Sequence, residues 1–162
     1  MWTDLNGRKA SELEKYGGVY IGGGNTFDLL RVFKQTGFDS KLSGYIDDGG
    51  IVYGSSAGAM VLGRHIGGAQ FGGDPDENHA GFKDLAGLDK AYGYSISCHY
   101  LPEEEERIVA YARDNAMSMV ALPENCGLYV NDRGVKVVGE AGAFLFDRTE
   151  RRKLEAGFLL RE

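Results

Sequence analysis

The chain has 162 residues, with 18 Lys plus Arg against 24 Asp plus Glu, and the resulting formal charge of −6 sets aside nucleic acid and anionic membrane as main partners. Cys98 and Cys126 are too few for a disulfide framework and lack CxxC metal spacing, so no cofactor or metal is expected and a reducing, cytoplasmic setting is. The N-terminus lacks the basic-then-apolar pattern of a leader, no long apolar run occurs, and the length predicts one domain over residues 1–162 with a proper core.

In chain order, Ala10, Leu13 and Tyr16 recur among charged residues and predict a short amphipathic helix over residues 8–16, closed by Gly17-Gly18. Val19-Tyr20-Ile21 then runs into Gly22-Gly23-Gly24-Asn25-Thr26 and reopens as a helix carrying Phe27, Leu29, Leu30 and Phe33, which is a βα unit. The three glycines let backbone approach a ligand, but they lack the Gly-x-Gly-x-x-Gly spacing of a dinucleotide loop. A second helix is predicted over residues 40–48, where Leu42, Tyr45 and Ile46 share a face.

The chain is organised around Gly54-Ser55-Ser56-Ala57-Gly58-Ala59-Met60, which follows the apolar Ile51-Val52-Tyr53 and leads into a helix. In a strand, sharp turn and helix of the form Gly-x-Ser-x-Gly, the central residue projects its hydroxyl from a strained corner, and the flanking glycines remove side chains that would collide. Ser56 holds that place, and Ala57 would offer a backbone N–H at the helix N-terminus, where a developing oxyanion is favoured. The same residues also read as a Gly/Ser-rich loop without chemistry. Alternation of apolar strand and helix points to a parallel sheet covered by helices on both faces, with the site at the carboxyl ends of the strands.

Residues 64–93 form a long excursion rich in glycine, a length that in a compact domain marks function or mobility. Residues 94–99 follow as a strand ending in His99. Pro102 and the acidic Glu103 to Glu106 then open a helix, as proline and acids suit a first turn. Residues 117–122, 127–130, 135–138 and 143–146 read as short strands of more antiparallel character. Residues 148–152 read as a charged tail stretch before Phe158-Leu159-Leu160, a surface segment or dimer contact.

A serine on an elbow needs a base, and His65, His79 and His99 are available. His99, at a strand end on the side of Ser56, is the best placed, and imidazole accepts a proton at neutral pH. A carboxylate must orient it, and Asp74, Asp76 and Glu77 supply one, giving the chain order serine, acid, histidine.

Val19 to Phe27, Gly54 to Ala59, Cys98-His99-Tyr100 with Arg107-Ile108, and Leu122-Pro123-Glu124 together resemble the peptidase E (aspartyl dipeptidase) and cyanophycinase family of serine peptidases, over about residues 17–146. The resemblance implies a flavodoxin-like or class I glutamine amidotransferase-like parallel sheet flanked by helices, shortened at the N-terminus, because family members begin with roughly two further βα units. It implies Ser56 as nucleophile, His99 as base, Glu77 as the acid with Asp76 adjacent, and Gly24 and Ala57 as oxyanion donors. Asn25, Glu104 and Arg107 are the implied substrate-binding positions. The implied activity is a dipeptidase for short peptides with N-terminal Asp, working through an acyl-enzyme; the alternative is a weak or inactive relative that binds or regulates. The sequence departs from the family where an arginine is expected to hold the substrate carboxylate: four consecutive glutamates stand there, and Glu104 facing the pocket would repel it, whereas with all four facing water as an acidic first turn Arg107 or Arg64 could take the role. A shortened sheet exposes an edge, so a homodimer is expected.

Overall fold

The computed structural model describes Trp2, residues 5–148 and residues 150–160. The apolar triplets on either side of the first two helices pair as expected: β1 (Val19–Ile21) lies parallel to β2 (Val52–Gly54), with Tyr20 opposite Tyr53 and Ile21 opposite Gly54. Between them run α1 (Thr26–Thr36) and α2 (Phe38–Asp47). Asn25 caps α1 by accepting a hydrogen bond from the Asp28 N–H at 3.0 Å, and Gly37 ends it at φ 66°, a left-handed conformation that glycine adopts without penalty. Phe27, Leu30 and Phe33 of α1 are buried with Phe38 and Leu42 of α2, so both helices turn one stripe to the same core.

The second parallel pair is β3 (Ser95–Cys98) and β4 (Met119–Leu122), in register from Ser95 opposite Met119 to Cys98 opposite Leu122. Every residue of both strands is buried, as suits strands covered on two faces. The crossover is α4 (Glu105–Asp114), which buries Ile108 and Ala112 against Met119, Ala121 and Phe146. The remaining strands are β5 (Cys126–Asn131), β6 (Gly134–Gly139), β7 (Ala143–Phe146), β8 (Arg151–Leu154) and β9 (Leu159–Leu160). They make the far half antiparallel: β7 extends the sheet from β4 and β8 extends it further, while β5, β6 and β9 form a separate three-stranded sheet. The architecture is thus mixed α/β with parallel elements and flanking helices, as the sequence indicates.

Four local readings change. Residues 8–16 hold a 3-10 turn, Ala10–Lys15, in place of an α-helix. The excursion over 64–93 contains a 3-10 turn, Ile66–Gln70, set hard against β3: the Ser97 hydroxyl donates to the Gly68 carbonyl at 3.1 Å, and a Cβ on Gly68 would collide with the Ile96 carbonyl. The charged tail is woven into the sheets, because Leu154 closes β8 in the core and Leu160 pairs with Val135; its run of Arg151, Arg152 and Lys153 stays exposed and masks the strand in the sequence. Finally, helices do not cover both faces of the β1–β2 pair: Tyr20 is 67% exposed and Tyr53 66%, their rings stacked with centroids 5.6 Å apart. No helix among the described residues is long and apolar enough to cross a membrane.

The elbow after β2 leads into α3 (Ala57–Leu62), and its two glycines are both sterically required. A Cβ on Gly54 would meet the Gly58 carbonyl, and one on Gly58 would meet the Ile21 carbonyl at the end of β1. Gly58→Ala is therefore expected to destabilise the fold by about 1–3 kcal/mol through overpacking. A thermal melt followed by circular dichroism checks it, and an unchanged midpoint would show that the elbow has slack.

Candidate active site

Ser56 occupies the elbow with φ 51° and ψ −115°, a conformation rare for a residue with a side chain. Such a backbone costs of order 1–3 kcal/mol and persists only where its surroundings impose it. Here the Ser55 N–H donates to the Ile21 carbonyl at 3.0 Å, and the Gly58 N–H turns back to the Ser55 carbonyl at 2.9 Å, so β1 and α3 fix the corner from both sides. The glycine loop after β1 lies over Ser56, since a Cβ on Gly23 would sit 3.5 Å from the Ser56 Cβ.

β3 and β4 end side by side at Cys98 and Leu122, so the residues that leave the sheet next, His99 and Pro123-Glu124, emerge together. His99 turns through φ 58° and directs Nε2 to the Ser56 Oγ at 3.1 Å, while its Nδ1 lies 2.6 Å from Glu124 Oε1. An ionised carboxylate only accepts, so Nδ1 carries the proton and Nε2 is left as an acceptor for the serine hydroxyl. This arrangement can draw a proton from Ser56 and stabilise the imidazolium that results. The other two histidines are elsewhere. His65 Nδ1 accepts from the Gly67 N–H at 3.0 Å, capping the 3-10 turn, and burial lowers its pKa. His79 is exposed, 3.4 Å from Glu77.

The carboxylate on His99 is therefore Glu124 and not Glu77, which corrects the expected acid. Glu77 is exposed beside His79, and its backbone carbonyl accepts from the Asn25 side chain at 2.9 Å. Asp76 is also committed, accepting from the buried Thr26 through its N–H at 2.9 Å and its hydroxyl at 2.5 Å, which fastens the excursion to the start of α1. Glu104 does not face the pocket either: it is 7% exposed, accepts from the Gly72 N–H at 2.5 Å and pairs with Arg107 at 3.1 Å. Arg107 lies over the Phe71 ring, 5.4 Å from its centroid, and like Arg64 is not among the residues lining the cavity beside Ser56.

That cavity, of about 310 Å³, is lined by Gly24, Asn25, Phe71, Asp74, Asp76 and His99 among others. Gly24 and the first residue of α3, Ala57, have N–H groups without a backbone acceptor among the described residues. Asn25 reaches the cavity, but its amide is already spent on the cap of α1 and on Glu77. Cys98 also lines the cavity, and burial, with Glu124 and Cys126 nearby, pushes its thiol up to about 12, so it is an inert thiol at neutral pH. No group of three or more His, Cys, Asp or Glu side chains able to hold a metal occurs among the described residues.

Fold and site together have the layout of a mixed α/β protein with a strand-turn-helix elbow, bearing Ser56, at the carboxyl ends of parallel strands. The model of Peptidase family S51 matches residues 4–138, and the chain belongs to that family of peptidases. Peptidase E of Pasteurella multocida is 27% identical over 149 residues, 86% of this chain and 61% of that protein. An uncharacterized peptidase of Listeria monocytogenes, Lmo0363, is 38% identical over 64 residues, 40% of this chain and 31% of that protein. Among solved structures, one described as a peptidase E protein from Listeria monocytogenes superposes with a TM-score of 0.69 at 23% identity, covering 85% of this chain and 69% of that one. The matches thus span 31% and 61% of the two curated relatives' lengths.

Proposed function

We propose that the protein is a serine-type exopeptidase that hydrolyses short peptides through an acyl-enzyme. The observation that carries this reading is His99 bridging Ser56 and Glu124, at 3.1 and 2.6 Å, above a cavity the size of a small peptide end. Ser56 Oγ attacks the scissile carbonyl carbon as His99 Nε2 takes its proton, and Glu124 holds the imidazolium. The oxyanion falls to the N–H groups of Gly24 and Ala57. His99 returns the proton to the leaving amine, and water, activated by the same imidazole, releases the acyl group. The preference for N-terminal Asp implied by the resemblance meets no Lys or Arg among the cavity-lining residues.

A fluorophosphonate probe followed by peptide mapping tests the reading, with Ser56 expected as the modified residue and dipeptide turnover lost in step. A protein that neither reacts nor hydrolyses any dipeptide would instead be the inactive, binding relative.

For the assembly we propose a homodimer, in which a second copy covers the bare face bearing Tyr20, Ile51 and Tyr53. Light scattering is expected to return twice 17.6 kDa, and Tyr53→Lys a monomer. A wild-type monomer at micromolar concentration would remove the proposal.

A further inference from the structure

The cavity beside Ser56 carries charge of one sign. Asp74 and Asp76 both line it, and no Lys or Arg does. The two carboxylates are not equivalent. Asp76 is satisfied by two hydrogen bonds from Thr26, whereas Asp74 makes no hydrogen bond or ion pair among the described residues. The cations that could have balanced them are engaged or distant: Arg107 is held by Glu104 and lies on Phe71, and Arg64 follows the C-terminal end of α3, at the other end of that helix from Ser56. A carboxylate brought into this space would meet a like charge with no counter-ion, and an ammonium or guanidinium would meet a solvated carboxylate that has no protein partner among the described residues.

We propose that the cavity selects substrates bearing a positive charge on the acyl side of the scissile bond, with Asp74 as the counter-ion. The group meant is the side chain of a basic residue, since the free α-ammonium is common to every dipeptide substrate and belongs to the proposed function already. The inference rests on the reading of Ser56 as nucleophile only for where the scissile bond lies.

Binding tests it apart from turnover. Lysyl-leucine, norleucyl-leucine, acetyl-norleucyl-leucine and aspartyl-leucine are titrated calorimetrically into Ser56→Ala and into Ser56→Ala/Asp74→Asn. Asp74 is exposed and unpartnered, so its replacement spares the fold. Lysyl-leucine is expected to bind Ser56→Ala about threefold to fivefold tighter than aspartyl-leucine, an advantage that Asp74→Asn largely removes. Preference for lysyl-leucine over norleucyl-leucine assigns the charge to the side chain. Equal binding of those two overturns the inference, and weakening by acetylation then shows that only the α-ammonium common to all dipeptides is read. Acetyl-norleucyl-leucine or aspartyl-leucine binding as tightly as lysyl-leucine, or a preference that survives Asp74→Asn, overturns the inference. Charge-selective binding by a protein whose wild type cleaves none of the peptides would leave it standing and refute the proposed hydrolysis, and cleavage without charge preference would do the reverse.

Discussion

Ser56→Ala is expected to lower dipeptide turnover by about 10⁶-fold, the scale seen when the nucleophile of such a unit is removed. The substitution keeps the Cβ, so the corner at φ 51° and its close contact with the glycine loop are preserved, and only the Oγ that faces His99 is lost. The melting curve should therefore stay within a degree or two of wild type while the rate collapses, which separates loss of chemistry from loss of fold. Ser55→Ala is the control. Its backbone N–H ties the elbow to Ile21, and an alanine there keeps that bond. Chromatographic assay of dipeptide cleavage by both variants decides the matter: turnover retained by Ser56→Ala and lost in Ser55→Ala would move the nucleophile to the neighbouring serine.

The parts of this protein that are legible in the sequence are those fixed by short-range rules. The elbow could be read because Gly54 and Gly58 are forced by contacts within a few residues and with the end of β1, and the same pentapeptide names its central serine. His99 could be read because a strand visibly ends there. What escaped depends on which strands lie side by side. Glu124 follows Leu122 by two residues, and only the parallel register of Cys98 with Leu122 brings it to His99. The signal was present, in an acidic residue just past the strand that pairs in parallel with the strand of the histidine, and the resemblance to the peptidase E family pointed to Glu77 instead. Glu104 escaped for a different reason. A row of four glutamates reads as a solvated first turn or a charged rim, and nothing local reveals that one of them is buried to receive the Gly72 N–H from the long excursion. The tail escaped because three basic residues in a row hide a strand whose single buried side chain is its last, Leu154.

Glu124→Gln is expected to lower kcat by about 10²–10⁴-fold with little change in KM, and Glu77→Gln to leave both within a few-fold. Where the acid of such a triad is buried, neutralising it costs about 10⁴ in kcat, because the imidazole is left with the wrong tautomer and its positive charge uncompensated. Glu124 is 77% exposed on its side chain, so water already screens its charge and can replace part of what it supplies, which places the expected loss at or below that figure. The glutamine still fits the site sterically, so substrate binding in the cavity beside Ser56 is untouched. Glu77 faces solvent with His79, and among the described residues it meets the loop that bears Gly24 through its backbone carbonyl, which glutamine keeps. Steady-state kinetics on one dipeptide with the two variants separates the carboxylates. A full loss in Glu77→Gln alongside a near-normal Glu124→Gln would mean that the excursion rearranges when substrate enters and carries its own carboxylate to His99.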